Sequence, residues 1–295
     1  MTEASRTPAA ATATATTAPG AAPAGISLAE KRRRAERQRQ QRIWLARLGV
    51  LVAILTIWET SAGTLVPEFF ISRPSEIFAT LYGWAASGRL FYHASITSIE
   101  ALLGFLMGSL IGMSVGVLLG RAQILADIFD PFIMMFYSLP KVALAPMFIL
   151  WFGIGIDMKI YLTATIVFFL VFLNTYAGVR AVSREQIAIL RLMGATEADI
   201  LRKVVVPSAI TWVFNGLRLS VPYALIGAIV GELIASNKGL GYLLADASGQ
   251  FDTAAMFAAL LAIMALALLL NIAVKWVEKR AMPWKSVEDK REMSI

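Results

Sequence analysis

The sequence of 295 residues has no cysteine and a single histidine, His93. Disulfide scaffolds, thiolate catalysis, iron–sulfur clusters and cysteine-ligated zinc are excluded by the first absence. The second excludes a three-histidine metal site within one chain and leaves a Ser-His-Asp arrangement only His93 to draw on. Charge is scarce as well: 16% of residues are Asp, Glu, Lys or Arg, against about 25% in soluble globular proteins. No G-x-x-x-x-G-K-[ST] occurs, so the chain has no phosphate-cradling loop of its own. No metal or other cofactor is expected, and the chain is not expected to be an enzyme.

What it has in excess is apolar surface. Hydrophobic residues make up 58% of the chain and mean hydropathy is +0.67. A soluble fold cannot hide that much, so the bilayer is the expected solvent. A helical crossing takes about 20 apolar residues, and the chain divides into about six such stretches, which predicts an all-α polytopic membrane protein. The net charge of +7 does not indicate nucleic acid. Residues 1–42 carry eight Lys/Arg and three acids, so +5 of it sits in that tail, and basic clusters beside spans set orientation and meet anionic lipid.

Residues 1–29 are mostly Ala, Thr and Pro, with no periodic apolar face, and are expected to be disordered. The basic run Glu30–Arg42 reads as a solvated helix or an extended arm. A first span covers Ile43–Val66, too long and too far from the terminus for a signal peptide. Ser75 is positioned to cap a short helix Glu76–Trp84. The second span, Ile96–Leu119, carries Gly104, Gly108, Gly112, Gly116 and Gly120. This smooth stripe lets another helix approach closely, and packing within the chain is the expected use. After a polar loop, Arg121–Asp130, come spans at Pro131–Phe152, Met158–Gly178, Ser208–Ser236 and Ala254–Trp276. The third of the six is broken by Pro140 and Pro146, whose freed carbonyls need protein neighbours.

Twenty Lys/Arg fall on the side of the N-terminal tail, the 121–130 and 179–207 loops and the C-terminal tail; four (Arg73, Arg89, Lys159, Lys238) fall on the other. Both termini and the 179–207 loop are therefore expected in the cytoplasm. The organisation expected is a basic tail 1–42, a transmembrane domain 43–282 and a C-terminal tail 283–295.

The 179–207 loop reads as two short helices with a hinge. Ile187, Leu190 and Met193 share a face, Gly194 ends the first helix as a left-handed residue, and Thr196 with Asp199 forms a capping box for the second, which Pro207 terminates. An apolar strip there predicts either folding back on the spans or docking of a cytoplasmic partner. Within the spans, Glu232, Glu100, Arg218 and Asn215 are polar residues in apolar surroundings, where such groups face protein or a water-filled pathway. Asn174, Asn215 and Asn271 are candidates for bonds between helices. Glu232, Arg218 and Asn215, with Pro140 and Pro222, are the pathway candidates. Glu100 is expected within reach of water, and His93 on the surface. Trp44, Trp84, Trp276 and Trp284 read as interface anchors.

The loop resembles the EAA loop of ABC importer permeases, E-A-A-x(3)-G-x(9)-I-x-L-P. Aligned on Gly194, Ala188, Ile189 and Leu190 stand at the E-A-A positions, and Val204, Val206 and Pro207 close the pattern. Ala188 thus replaces the family glutamate. The stretches "SRPSEIFATL", "SLPKVALAPMFILWFGIG", "GLRLSVPYALIGAIVGELIAS" and "GLGYLLADA" are similar to the branch for nitrate, taurine and aliphatic sulfonates. The resemblance implies a type I importer permease of the bacterial inner membrane. It further implies a second permease subunit as homodimer, two separate ATPase subunits and an extracytoplasmic solute-binding protein. Ala188, Leu190, Met193, Gly194, Ala195, Thr196, Asp199, Val204 and Pro207 would be its ATPase-coupling residues. A secondary transporter driven by an ion gradient is the alternative; it predicts carboxylates paired across an internal repeat, and no convincing repeat is visible.

Overall fold

The computed structural model describes residues 28–282. The Ala-Thr-Pro tract expected to be disordered falls outside them except for its last two positions; the C-terminal tail with Trp284 lies wholly outside. Eleven α-helices are present among the described residues: α1 (Leu28–Ser61), α2 (Pro74–Ala86), α3 (Arg89–Arg121), α4 (Gln123–Ser138), α5 (Ala145–Phe152), α6 (Ile156–Arg180), α7 (Arg184–Leu192), α8 (Glu197–Ile200), α9 (Val206–Ala235), α10 (Leu240–Gly249) and α11 (Thr253–Ala281). Five stretches are long and apolar enough to cross a membrane, and α4 with the segment Lys141–Phe152 forms a sixth, bent by 81°.

Helix α1 forms one compact unit up to Ile57 and the remainder, Trp58 onward, another. The basic run is helical and continuous with the first span, which ends at Ser61 and not at Val66. Straight-chain Arg, Gln, Glu and Ala favour helix and nothing between Leu28 and Ser61 breaks it. Its most apolar window buries no residue, and Trp44 is 70% exposed.

In the second unit, α3, α6 and α9 form the centre. The glycine stripe of α3 lies against α6: a Cβ added to Gly112 would sit 2.8 Å from the Phe168 carbonyl oxygen, and one on Gly120 2.8 Å from Val179 Cβ. The stripe is thus used inside the chain. Its register carries topology. Gly104 meets Thr163, Gly112 meets Phe168 and Gly120 meets Val179, so α3 and α6 are parallel. Parallel neighbours need a return crossing between them, and only α4 and α5 are available to make it. Helix α9 is antiparallel to α6, with Gly216 on Asn174 and Gly231 on Lys159. A core cluster of Ala101, Leu225, Ala228, Leu240, Leu243 and Ala259 joins α3, α9, α10 and α11.

Several expected boundaries change. The 121–130 loop shrinks to Ala122, because α4 begins at Gln123 and its apolar face runs through Ile124 and Ile128. The third span is not one kinked helix. Leu139 turns extended at φ −67°, ψ 134°, the conformation that a following proline imposes. The Lys141 ammonium bonds the Tyr137 carbonyl that the break exposes, a cation at a helix C-terminus. Ser75 is not the cap of α2. Arg73 holds that position, while Ser75 N–H and O–H donate to the two Glu59 carboxylate oxygens at 3.0 and 2.7 Å.

Candidate functional site

Two constellations stand at opposite ends of the second unit. The first is the loop of α7 and α8. Ser183 caps α7, accepting from Gln186 N–H at 3.3 Å. At its other end Gly194 has φ +82°. Gly194 N–H donates to the Arg191 carbonyl and Ala195 N–H to the Leu190 carbonyl, both at 3.0 Å, a complete Schellman motif. Leu190 and Ala195 both pack against the same apolar cluster. Thr196 Oγ1 then accepts from Asp199 N–H at 3.2 Å while Asp199 Oδ2 accepts from Thr196 N–H at 3.3 Å, so the capping box is formed. Lys203 and Asp199 pair at 2.7 Å, and Arg191 and Glu197 at 2.8 Å.

The expected apolar strip divides. Ile187 and Leu190 fold back, with Ala195 and Val204, onto Val179, Val182, Ile200 and Val205. Leu192 and Met193, beside the hinge, are 89% and 77% exposed. Ala188, Thr196 and Pro207 are exposed, and Asp199 half-buried. Pro207 does not terminate the second helix. A π-turn, Leu201–Val205, joins α8 to α9 and Pro207 sits in the first turn of α9, where its missing N–H costs little. A cavity of about 290 Å3 lies under the loop, lined by Arg121, Arg180, Arg191 and Glu197 among others.

The second constellation lies where α3 and α6 begin and α9 ends. Three successive amides open α10, and each meets a side chain from another helix. Gly239 N–H donates to His93 Nδ1 at 3.0 Å, Leu240 N–H to Thr97 Oγ1 at 2.8 Å and Gly241 N–H to Glu232 Oε2 at 2.6 Å. The Thr97 hydroxyl in turn donates to Glu232 Oε1 at 2.7 Å. A carboxylate on the first amides of a helix is favoured by the helix dipole. Gly239 has φ +108°, and a side chain on either Gly239 or Gly241 would collide with Glu232. Beside this cap the Lys159 ammonium donates to Glu100 Oε1 at 2.7 Å and Ser236 Oγ at 2.9 Å.

Two expectations are corrected here. His93 is buried, because its ring accepts a backbone amide and stacks on Tyr242. Glu100 is fully buried and paired with Lys159. The pathway candidates are not brought together. Arg218 pairs with Glu278 of α11, fourteen positions before Glu232, or about 21 Å along α9. Pro140 and Pro222 are exposed, Asn215 half-buried and Asn271 exposed; Asn174 bonds the Leu170 carbonyl of its own helix. Sequence reasoning missed Lys159, Thr97 and Ser236. Lys159 had the signal: it is the fourth residue of a helix that starts at Ile156, and with the span read from Met158 it stood at the very edge and was counted with the loop charges.

A family model described as the inner-membrane component of binding-protein-dependent transport systems matches residues 102–283. The chain belongs to this family. The permease is 32% identical over 244 residues to the putative aliphatic sulfonates transport permease protein SsuC of Bacillus subtilis, which spans 82% of the permease and 88% of that protein. It is 28% identical over 243 residues to the taurine transport system permease protein TauC of Escherichia coli, 80% of one and 88% of the other. The branch resembled by the sequence is thereby borne out. Among solved structures, the inward-facing methionine ABC transporter MetNI matches 64% of the permease and 94% of that chain, with a TM-score of 0.56 and 21% identity. That likeness gives the fold, the all-α type I ABC importer permease. The permease is a multi-pass membrane transport component, and the family works with ATPase and solute-binding partners.

Proposed function

We propose that this permease forms the solute pathway of an ATP-driven importer for a small anionic or organic solute, such as nitrate, a sulfonate or taurine. It receives the ATPase stroke through residues 183–206. The observation that carries the reading is the α7–α8 joint. A rigidly capped hinge holds Leu192 and Met193 out at 89% and 77% exposure, while Ile187 and Leu190 anchor the same helix to the spans. A surface built so needs a protein cover, and a push on it moves α9 through Val204 and Val205. Ala188, Leu190, Met193, Gly194, Ala195, Thr196, Asp199, Val204 and Pro207 are the coupling residues of this reading.

Two ATPase subunits dock there, and ATP is hydrolysed on them. A second copy of the permease completes the pathway as a homodimer, and an extracytoplasmic solute-binding protein delivers at the opposite end. Both tails, 1–42 and 283–295, lie in the cytoplasm around the transmembrane domain 43–282. Support for an organic solute comes from the relatives, whose names specify aliphatic sulfonates, taurine, formylaminopyrimidine and riboflavin. The test is uptake into vesicles holding the permease with its ATPase and binding protein. Uptake is expected to need ATP, to stop with vanadate and to ignore an ionophore. Uptake that ignores vanadate and stops with the ionophore makes the chain a gradient-driven transporter.

A further inference from the structure

We propose that Lys141, at the break between α4 and α5, is an anion site in the middle of the membrane and holds the acid group of the solute. As a station for solute it rests on the importer reading; as an anion site it does not. Its depth follows from α6. The Lys141 ammonium lies 4.8 Å from the centroid of the Phe169 ring, and Phe169 stands thirteen positions after Ile156 and eleven before Arg180, the two ends of that helix. Those ends are about 20 and 17 Å away along the axis, so the charge sits near the centre of the span.

A cation at that depth needs compensation. Lys141 makes no ion pair among the described residues, and no charged group among them acts on its ammonium. On α4 the nearest acid before it is Asp130, seven positions before Tyr137, and on α6 it is Asp157, twelve before Phe169. These are about 10 and 18 Å off along their helices. What holds the ammonium carries no charge. It donates to the Tyr137 carbonyl and lies over the rings of Tyr137 and Phe169, at 4.5 and 4.8 Å. These contacts fix its place and leave its charge uncancelled. An ammonium has three N–H donors, and the carbonyl takes one.

The surroundings indicate water and not lipid. The helix breaks at Leu139 and Pro140, and both residues are exposed. Irregular backbone at membrane depth stands only where protein buries it or a water-filled cavity meets it. Lipid would leave both the break and the charge unsolvated. The open face therefore belongs to the pathway, and an unpaired cation on it attracts an anion and repels a cation. The exposed Tyr137 ring beside it offers apolar surface to the organic part of a sulfonate. This narrows the solute from anionic or organic to one that bears an acid group.

The natural chain has no cysteine, so one introduced thiol reports the site without background. Ser138 follows the carbonyl that Lys141 bonds and is exposed, and Ser138→Cys exchanges a single heavy atom. The test labels this permease, assembled with its ATPase and binding protein in vesicles, with two methanethiosulfonates. One ends in a sulfonate and the other in a trimethylammonium group, and each rate is divided by that on free 2-mercaptoethanol. The sulfonate reagent is expected to be favoured about tenfold, the size of a local field effect. Adding Lys141→Gln is expected to remove the preference and adding Lys141→Arg to keep it. At equal ionic strength, ethanesulfonate is expected to slow the labelling and ethylammonium not. Equal rates overturn the proposal, and would mean that a carboxylate of the second copy cancels Lys141. Failure of both reagents to label overturns it by placing the face in lipid, and a preference that survives Lys141→Gln overturns it by placing the field elsewhere. Should Lys141→Gln not assemble, the rate ratio and the ethanesulfonate effect on Ser138→Cys alone decide. Vanadate-sensitive uptake on the same vesicles separates the two readings. Intact uptake without a charge preference removes this site alone; a charge preference with uptake that ignores vanadate removes the importer reading alone.

Discussion

Glu232 is the residue whose setting says most about this fold. An acid two-thirds along a span was legible as a special position, because burying a carboxylate in an apolar helix needs partners. Its partners were not legible: Thr97 is 135 positions away, and no local pattern connects them. The Gly239 and Gly241 pair was visible as a turn, but the reason for it is three-dimensional, since any Cβ there strikes the carboxylate. Glu232→Leu leaves Gly241 N–H without an acceptor in a buried site, at about 1–3 kcal/mol, and leaves the Thr97 hydroxyl only the long bond to the His93 carbonyl at 3.3 Å. Glu232→Gln keeps one acceptor and is expected to be much milder. Thermal unfolding of the detergent-purified variants should show a clear drop in Tm for leucine and a small one for glutamine. Equal drops would mean that the cap contributes little.

Among the elements, those defined by local chemistry were the readable ones. The hinge of α7 and α8 was legible to the residue, because a Schellman turn and a capping box are set by neighbours in sequence. The continuation of α8 into α9 was not, because a π-turn shifts the bonding register and leaves no compositional mark. Gly194→Val puts a β-branched residue at φ +82°, a strain of about 1–2 kcal/mol, at a hinge where an added Cβ meets no neighbour within 4 Å. Normal insertion with poor retention of the ATPase in co-purification is expected; full transport would show that the joint does not couple. Thr196→Ala removes one cap, about 1 kcal/mol, and should weaken retention less. The glycine stripe makes the opposite forecast. Gly112→Val drives a side chain into the Phe168 carbonyl at 2.8 Å or less, an overpacking cost of about 1–3 kcal/mol. Lower amounts of folded permease, measured by fluorescence-detected size exclusion, should therefore precede any change in coupling.

At the scale of the molecule, the number of crossings rests on the bent pair α4–α5. Its 81° break allows it to cross or to turn back, and hydropathy alone does not separate the two. Helix direction does. Since α3 and α6 meet in parallel register from Gly104–Thr163 to Gly120–Val179, both run toward the α7 end, and the chain between Arg121 and Ile156 has to return across the bilayer. Six crossings put both termini on one side. The charge count then chooses the side, because Lys and Arg resist translocation in short loops and twenty of them lie on the side of the tails against four opposite. Reporter fusions at Ser183 and Lys290 are expected to signal inside, and fusions at Gly88 and Ser248 outside. If the pair turned back, Gly88 and Ser183 would signal the same side, which contradicts the register of α3 on α6. If every signal were inverted, the register would stand, but Leu192 and Met193 would face away from the compartment that holds ATP, and the coupling reading would end there.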